Sequence, residues 1–264
     1  MQTKLIQLAA LLGGGIILCG GSATAQQNDA VLGLSVGAEF TSGSYGGDAD
    51  IEDTYIPITA SIDTGRIAFR LAVPYLSVRA PMGTIFDPDG IPIPGSGEIT
   101  TESGLGDIVG SVTVYDVVSN RRSGFAMDLT GKIKLGTADE EKGLGTGETD
   151  YSVQADFYKF ADNLTLLGSV GYKFRGDPAG VDLDNVFIGS FGGTYRFTPD
   201  VSGGVIFDYR ESAISGTDSI QELTGFVSRR INQDWRFHVY VLAGLTDSSP
   251  DWGGGFQIKR YMGR

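Results

Sequence analysis

Apolar and polar residues alternate with a period of two, and the alternation restarts at intervals all along the chain from residue 31; no other feature constrains the fold as much. In "VLGLSVGAEF" (31–40), Leu32, Leu34, Val36, Ala38 and Phe40 fall on one side, and Gly33, Ser35, Gly37 and Glu39 on the other. In "RIAFRLAVPY" (66–75), Ile67, Phe69, Leu71, Val73 and Tyr75 oppose Arg66, Ala68, Arg70 and Ala72. Successive side chains of a strand point to opposite faces, so each segment predicts a two-faced strand and not a helix. Twelve such segments occur, at 31–40, 55–63, 66–75, 107–117, 125–136, 151–160, 164–175, 186–197, 201–210, 221–231, 235–245 and 252–261. The 11 tyrosines and 14 phenylalanines suit strands, and the 40 glycines suit turns and close backbone approach. Beyond the N-terminal segment no apolar run reaches the roughly 20 residues of a membrane helix.

The connections alternate too. Those at 41–54, 80–103, 137–150, 176–184, 211–219 and 246–251 are long, and those at 63–65, 118–124, 161–163, 198–200 and 232–234 are short. One end of the array therefore differs from the other, as in outer-membrane barrels with long external loops and short periplasmic turns. Periodicity alone fits two inverse arrangements: a soluble sandwich hides the apolar face, and a membrane barrel turns it to lipid. The lopsided loops and the N-terminus select the barrel. Lys4, an apolar stretch at 5–18 and Ala23-Thr24-Ala25 read as a secretory signal cleaved before Gln26. Bulky Leu18 ahead of Cys19 argues against lipid attachment. The expectation is a signal peptide at 1–25 and, over 26–264, a single all-β domain. That domain is a twelve-stranded antiparallel up-and-down transmembrane β-barrel, both of whose ends lie in the periplasm. Its location would be the outer membrane of a Gram-negative bacterium, and its partners outer-membrane lipid and lipopolysaccharide, the barrel-assembly machinery and a small-molecule solute.

Charge sorts by face. Opposite the apolar side stand Arg70, Lys132, Lys134, Lys173, Arg175, Arg196, Arg210 and Arg236, the expected pore-lining residues, together with Lys259. The acids on that face are Glu39, Asp63, Asp128, Asp156, Asp208 and Glu222, and most other acids lie in the long loops. A basic lumen would favour small anions and acidic loops would favour cations at the mouth, so no strong selectivity follows. Internal salt bridges to Asp128, Asp156, Asp208 or Glu222 are an equal alternative role for the basic set. A net charge of −12 argues against a nucleic-acid partner.

Motifs for other chemistry are weak. Gly143, Gly145 and Gly147 form a glycine-rich run, but "YSVQADFYKF" follows at strand period, leaving no helix N-terminus to hold a phosphate. The acidic neighbours Asp139, Glu140, Glu141, Glu148 and Asp150 would also repel one. His238 is the single histidine, and Ser190 or Ser228 could be paired with it only by parity, without a nucleophile elbow. The loops at 46–53 and 137–143 lack the order of calcium-binding residues. No catalytic residue, metal or cofactor is expected, and the chain reads as a non-enzyme. The stretch at 88–97, within the longest connection, could fold into the lumen or project outward. Phe40, Tyr75, Tyr115, Phe160, Tyr172, Tyr195, Tyr209, Trp235, Trp252 and Tyr261 lie near segment ends, as an interfacial girdle requires.

Several stretches carry a family resemblance: "RLAVPYLSV" (70–78), "TESGLGDIVGSVTVY" (101–115), "LTGKIKLGTADEEKGLGTGETDY" (129–151), "DNVFIGSFGGTYRF" (184–197) and "YVLAGLTDSSPDWGGGF" (240–256). They resemble the transporter-like outer-membrane β-barrel family labelled by the meta-pathway of phenol degradation. The resemblance implies a twelve-stranded barrel and passage of small molecules, with no catalytic residue. The sequence reading is thus a passive, porin-like channel for small solutes, organic or anionic. A closed structural or surface-interaction barrel is the alternative, and a lipid hydrolase a more remote one.

Overall fold

A computed structural model describes residues 7–9, 17–19, 30–87, 92–93 and 95–263. The signal-peptide reading lies largely outside the described residues. Within it, Gln7–Ala9 pairs with Ile17–Cys19 in a small ladder separate from the main sheet.

The main sheet is a ring of twelve antiparallel strands. In chain order they are β1 (Val31–Gly43), β2 (Ile51–Asp63), β3 (Ile67–Pro81), β4 in two halves (Ile99–Leu105 and Ile108–Asn120), β5 (Phe125–Leu135) and β6 (Asp150–Ala161). They continue as β7 (Leu164–Phe174), β8 (Val186–Arg196), β9 (Val201–Arg210), β10 (Ile220–Arg230), β11 (Trp235–Gly244) and β12 (Trp252–Met262). Each strand pairs with its sequence neighbours, and β12 closes on β1 from Trp252↔Ser42 to Met262↔Leu32. Apart from Ile99–Leu105 beside the long loops, which pairs with β3 alone, closure leaves no open edge, so backbone groups of the wall are satisfied without water, the condition for standing in hydrocarbon.

The short turns follow from local side-chain chemistry. Asp63 accepts from the amide of Gly65, which has φ 79°. Asn120 accepts from the amides of Arg122 and Ser123, and Asn232 from those of Asp234 and Trp235.

Polarity is inverted relative to a soluble protein. Phe191 is 69% exposed, Val241 66% and Ile58 54%, whereas Thr113 and Asp128 inside are 1% exposed. An apolar wall outside and polar groups within is the arrangement of a barrel whose outer solvent is lipid.

Three differences from the sequence reading stand out. The stretch predicted as a loop at 80–103 contains the end of β3 and the first half of β4, paired from Tyr75↔Leu105 to Pro81↔Ile99. In the second half of β4 the register shifts between Val114 and Val118, with Asp116 at φ 52° and its amide bonded to Asp128 Oδ1 at 2.8 Å. The bulge changes the parity of the strand end, leaving Val117 and Val118 both exposed. Third, Tyr115 and Tyr261 of the expected girdle are buried inside, and Phe160 packs against an interior cluster. They lie on the inward parity of their strands.

Candidate functional site: the barrel interior

At the long-loop end, basic side chains at the strand ends meet carboxylates from the loops and from the start of β6. Lys134 of β5 lies 3.1 Å from Asp107, 3.4 Å from Asp150 and 3.8 Å from Asp87. Lys173 of β7 lies 3.1 Å from Asp150 and 3.8 Å from Asp87, and Arg175 is paired directly with Asp87. All six side chains are nearly inaccessible. Three cations thus face three carboxylates, the balance a buried charge cluster needs. The acids also fix backbone. Asp107 accepts the amides of Thr137 and Ala138, both at 2.9 Å, and Asp150 that of Gly176 at 3.0 Å.

Two loops fill this end. The described part of the 82–98 loop folds inward: Phe86 packs with Leu76, Val78, Ala80 and Leu144, and its amide bonds to the Gly143 carbonyl at 2.8 Å. The stretch from 136 to 149 brings Leu144, wholly buried, and Thr146, whose hydroxyl accepts from Lys134 at 3.0 Å. The glycine run therefore serves close packing. Gly143 has φ 66° and no room for a Cβ against the Thr84 carbonyl, and at Gly145 a Cβ would lie 2.8 Å from Asp107. A small pocket remains between these loops, with Ile85, Ile93, Leu183, Ala213 and Ile214 as apolar walls and Asp87, Arg175 and Thr146 as polar ones.

The middle of the interior is polar and aromatic. Arg70 is buried near Asp128 and Asp156, Gln154 donates to Asp156 at 2.6 Å, and Thr113 and Thr130 are 3.0 Å apart. Glu39 accepts from the Tyr240 hydroxyl, and Arg210 lies 3.8 Å from Glu222. His238 sits between Phe226 and Tyr240, with centroids 5.4 and 5.6 Å away. Ser228 is its cross-strand neighbour, yet neither imidazole nitrogen has a hydrogen-bond partner among the described residues. Ser190 instead bonds to Ser169 at 2.7 Å.

The short-turn end is basic. Arg230, Arg236 and Lys259 form one cross-strand row on inward positions, and Arg196 is half-buried on β8. Arg236 and Lys259 lie over the Tyr261 ring at 5.6 and 5.0 Å, and Arg230 pairs with Asp200 at 2.7 Å.

The structure thus divides the expected lining set. Lys134, Lys173 and Arg175 come together in the loop network, Arg70 and Lys132 line the middle, Arg210 stands apart with Glu222, and Arg196 and Arg236 lie near the short turns. Partners of the upper three are Asp87 and Asp150, which the sequence reading places in long connections, and Asp107, the first residue of its 107–117 segment. Asp87 carries no signal for this role, since strand parity does not extend into the loops, whereas Asp107 shares the parity of the inward Ser111 and Thr113. Asp150 is directly opposite Lys134, and that pairing was recoverable from the register of β5 and β6.

Comparison with known proteins agrees with the geometry. The family described as "Putative MetA-pathway of phenol degradation" matches residues 22–259, and the chain belongs to it. Among solved structures, an outer-membrane channel from Pseudomonas putida F1 is similar with a TM-score of 0.69 at 12% identity, covering 90% of this chain and 97% of that one. The KdgM porin is similar at 0.53 and 11% identity, covering 86% of this chain and 98% of that one, and the NanC porin at 0.52 and 10%, covering 88% and 99%. Among the curated proteins, none matches the sequence. The chain is an outer-membrane β-barrel, and its place is the outer membrane of a Gram-negative bacterium.

Proposed function

We propose that the barrel is a passive channel for small solutes, narrow and partly closed at its long-loop end. The observation that carries this reading is the polar interior, lined by ionic side chains from end to end inside an apolar wall. A barrel serving only as a scaffold has no need of that lining, because a packed apolar interior would stabilise it equally well. The similar channel and porins support the same reading.

Arg70, Lys132, Lys134, Lys173, Arg175, Arg196, Arg210 and Arg236 are proposed to line the conduit in two roles. The upper three hold the loops, and the basic row near the short turns, Arg236 among them, meets the solute. That row favours small anions, because Arg230, Arg236 and Lys259 stand side by side on inward positions of three neighbouring strands. Purified protein in planar bilayers is expected to give discrete conductance steps, and Arg236→Glu to shift the reversal potential toward cation preference. Absence of both conductance and liposome swelling would reject the channel in favour of a closed barrel.

A further inference from the structure

The lipid-facing wall carries few charges, and their partners differ. Among the described residues, four cations project outward from the strands. Arg79 pairs with Glu52 at 3.6 Å beside the long loops, and Lys159 donates to the Ser123 carbonyl. Arg229 on β10 and Arg260 on β12 have neither an ion pair nor a hydrogen bond among the described residues, and both are exposed. The contrast with Arg230, the next residue, is informative. It faces the other way and is satisfied by the Asp200 carboxylate and the Pro199 carbonyl.

The two unpaired arginines converge on one patch. They flank β11, where Arg260 pairs with Trp235 and Arg229 with Phe237. The Arg260 guanidinium lies 5.5 Å from the centre of the Trp235 ring. All are within three residues of the short-turn end of their strands, below the exposed Val227, Val239 and Phe256 and beside the exposed Leu34. Asp234 in the adjoining turn is the nearest acid in sequence.

An arginine at this depth cannot remain unsolvated, because a guanidinium in contact with hydrocarbon is costly and seeks an anion at the interface. The planar fork of arginine suits phosphate oxygens, and tryptophan favours the headgroup level. We propose that Arg229, Arg260 and Trp235 form a binding site for the phosphate of an anionic phospholipid in the leaflet at the short-turn end. The apolar rows above the patch seat the acyl chains. Two arginines around one headgroup give a preference for anionic over zwitterionic lipid of about thirtyfold, at roughly 1 kcal/mol per cation near a charged surface. The site fixes the height of the barrel in the bilayer and does not depend on whether the lumen conducts.

Fluorescence can read the site directly. The chain has two tryptophans, so Trp252→Phe leaves Trp235 as the single indole emitter. The full-length mature protein is placed in phosphatidylcholine vesicles containing either phosphatidylglycerol or phosphatidylcholine brominated high on the acyl chains. Half-maximal quenching is expected at about a thirtyfold lower fraction of the brominated phosphatidylglycerol. With Arg229→Gln and Arg260→Gln together the two lipids should quench alike, and Arg229→Lys with Arg260→Lys should restore part of the preference. Equal quenching by both lipids in the parent, or a preference that survives the double glutamine variant, would overturn the assignment. Heat-dependent gel mobility checks that each variant is a folded barrel. Should Trp235 itself fail to report, retention of phosphatidylglycerol over phosphatidylcholine in native mass spectrometry gives the same two outcomes.

Discussion

Asp87 is the carboxylate by which the 82–98 loop enters the buried charge cluster, and its removal gives a sharp test of how that loop is held. Asp87→Asn preserves shape and deletes the charge, leaving Lys134, Lys173 and Arg175 with Asp107 and Asp150 alone. Three buried cations against two anions is an uncompensated charge, and breaking such a pair costs about 3–5 kcal/mol. What still seats the loop is Phe86, worth about 1.5–3 kcal/mol of burial, and one backbone bond worth about 0.5–1.5 kcal/mol. Ordering each loop residue costs about 1–2 kcal/mol, so the order of two or three residues cancels what remains. The seated loop should therefore lose its advantage while the barrel stays intact. Single-channel recording is expected to show a larger unit conductance or a higher open fraction for Asp87→Asn than for the parent. Adding Arg175→Gln restores the count of two cations to two anions and should return conductance toward the parent value. Unchanged conductance in Asp87→Asn, or no recovery in the double variant, would refute the charge-balance reasoning.

Gly143→Ala places a Cβ against the Thr84 carbonyl at a positive φ, so it should loosen the same contact between loops and raise conductance without altering gel mobility. Phe191→Arg puts a charge on the most exposed large apolar position of the wall, and up to about 2–4 kcal/mol of lost insertion energy should appear as a reduced folded fraction in liposome refolding.

The outer half of this structure could be read from the sequence because lipid imposes a single rule on it. Outward positions within the hydrocarbon are apolar or small, and a period of two then reveals the strands and their two faces, while the lopsided loops decide which face is outside. Rows such as Leu32, Leu34, Val36 and Phe69, Leu71 stand where that rule placed them. The inner half obeys no such rule. Leu76, Val78 and Ala80 are inward and apolar because Phe86 and Leu144 cover them, and those covers come from distant loops. The first half of β4 was hidden for a related reason. It pairs on one side only, with β3, and its neighbouring connection is rich in proline and glycine. Asp87 looks like an ordinary loop acid until the chain places it within reach of Lys134. Tyr115, Phe160 and Tyr261 were assigned to a girdle by their position near strand ends, and end position does not determine face.

The central claim is that hydrocarbon covers the apolar side of the closed sheet and that ionic groups face inward. A nitroxide scan along β8, from Phe187 to Tyr195, in protein reconstituted in liposomes tests it most directly. Labels at 187, 189, 191, 193 and 195 should be relaxed by oxygen and shielded from a polar nickel chelate, and those at 188, 190, 192 and 194 should show far less oxygen contact. A scan with the opposite phase, or with no period of two, would contradict the account.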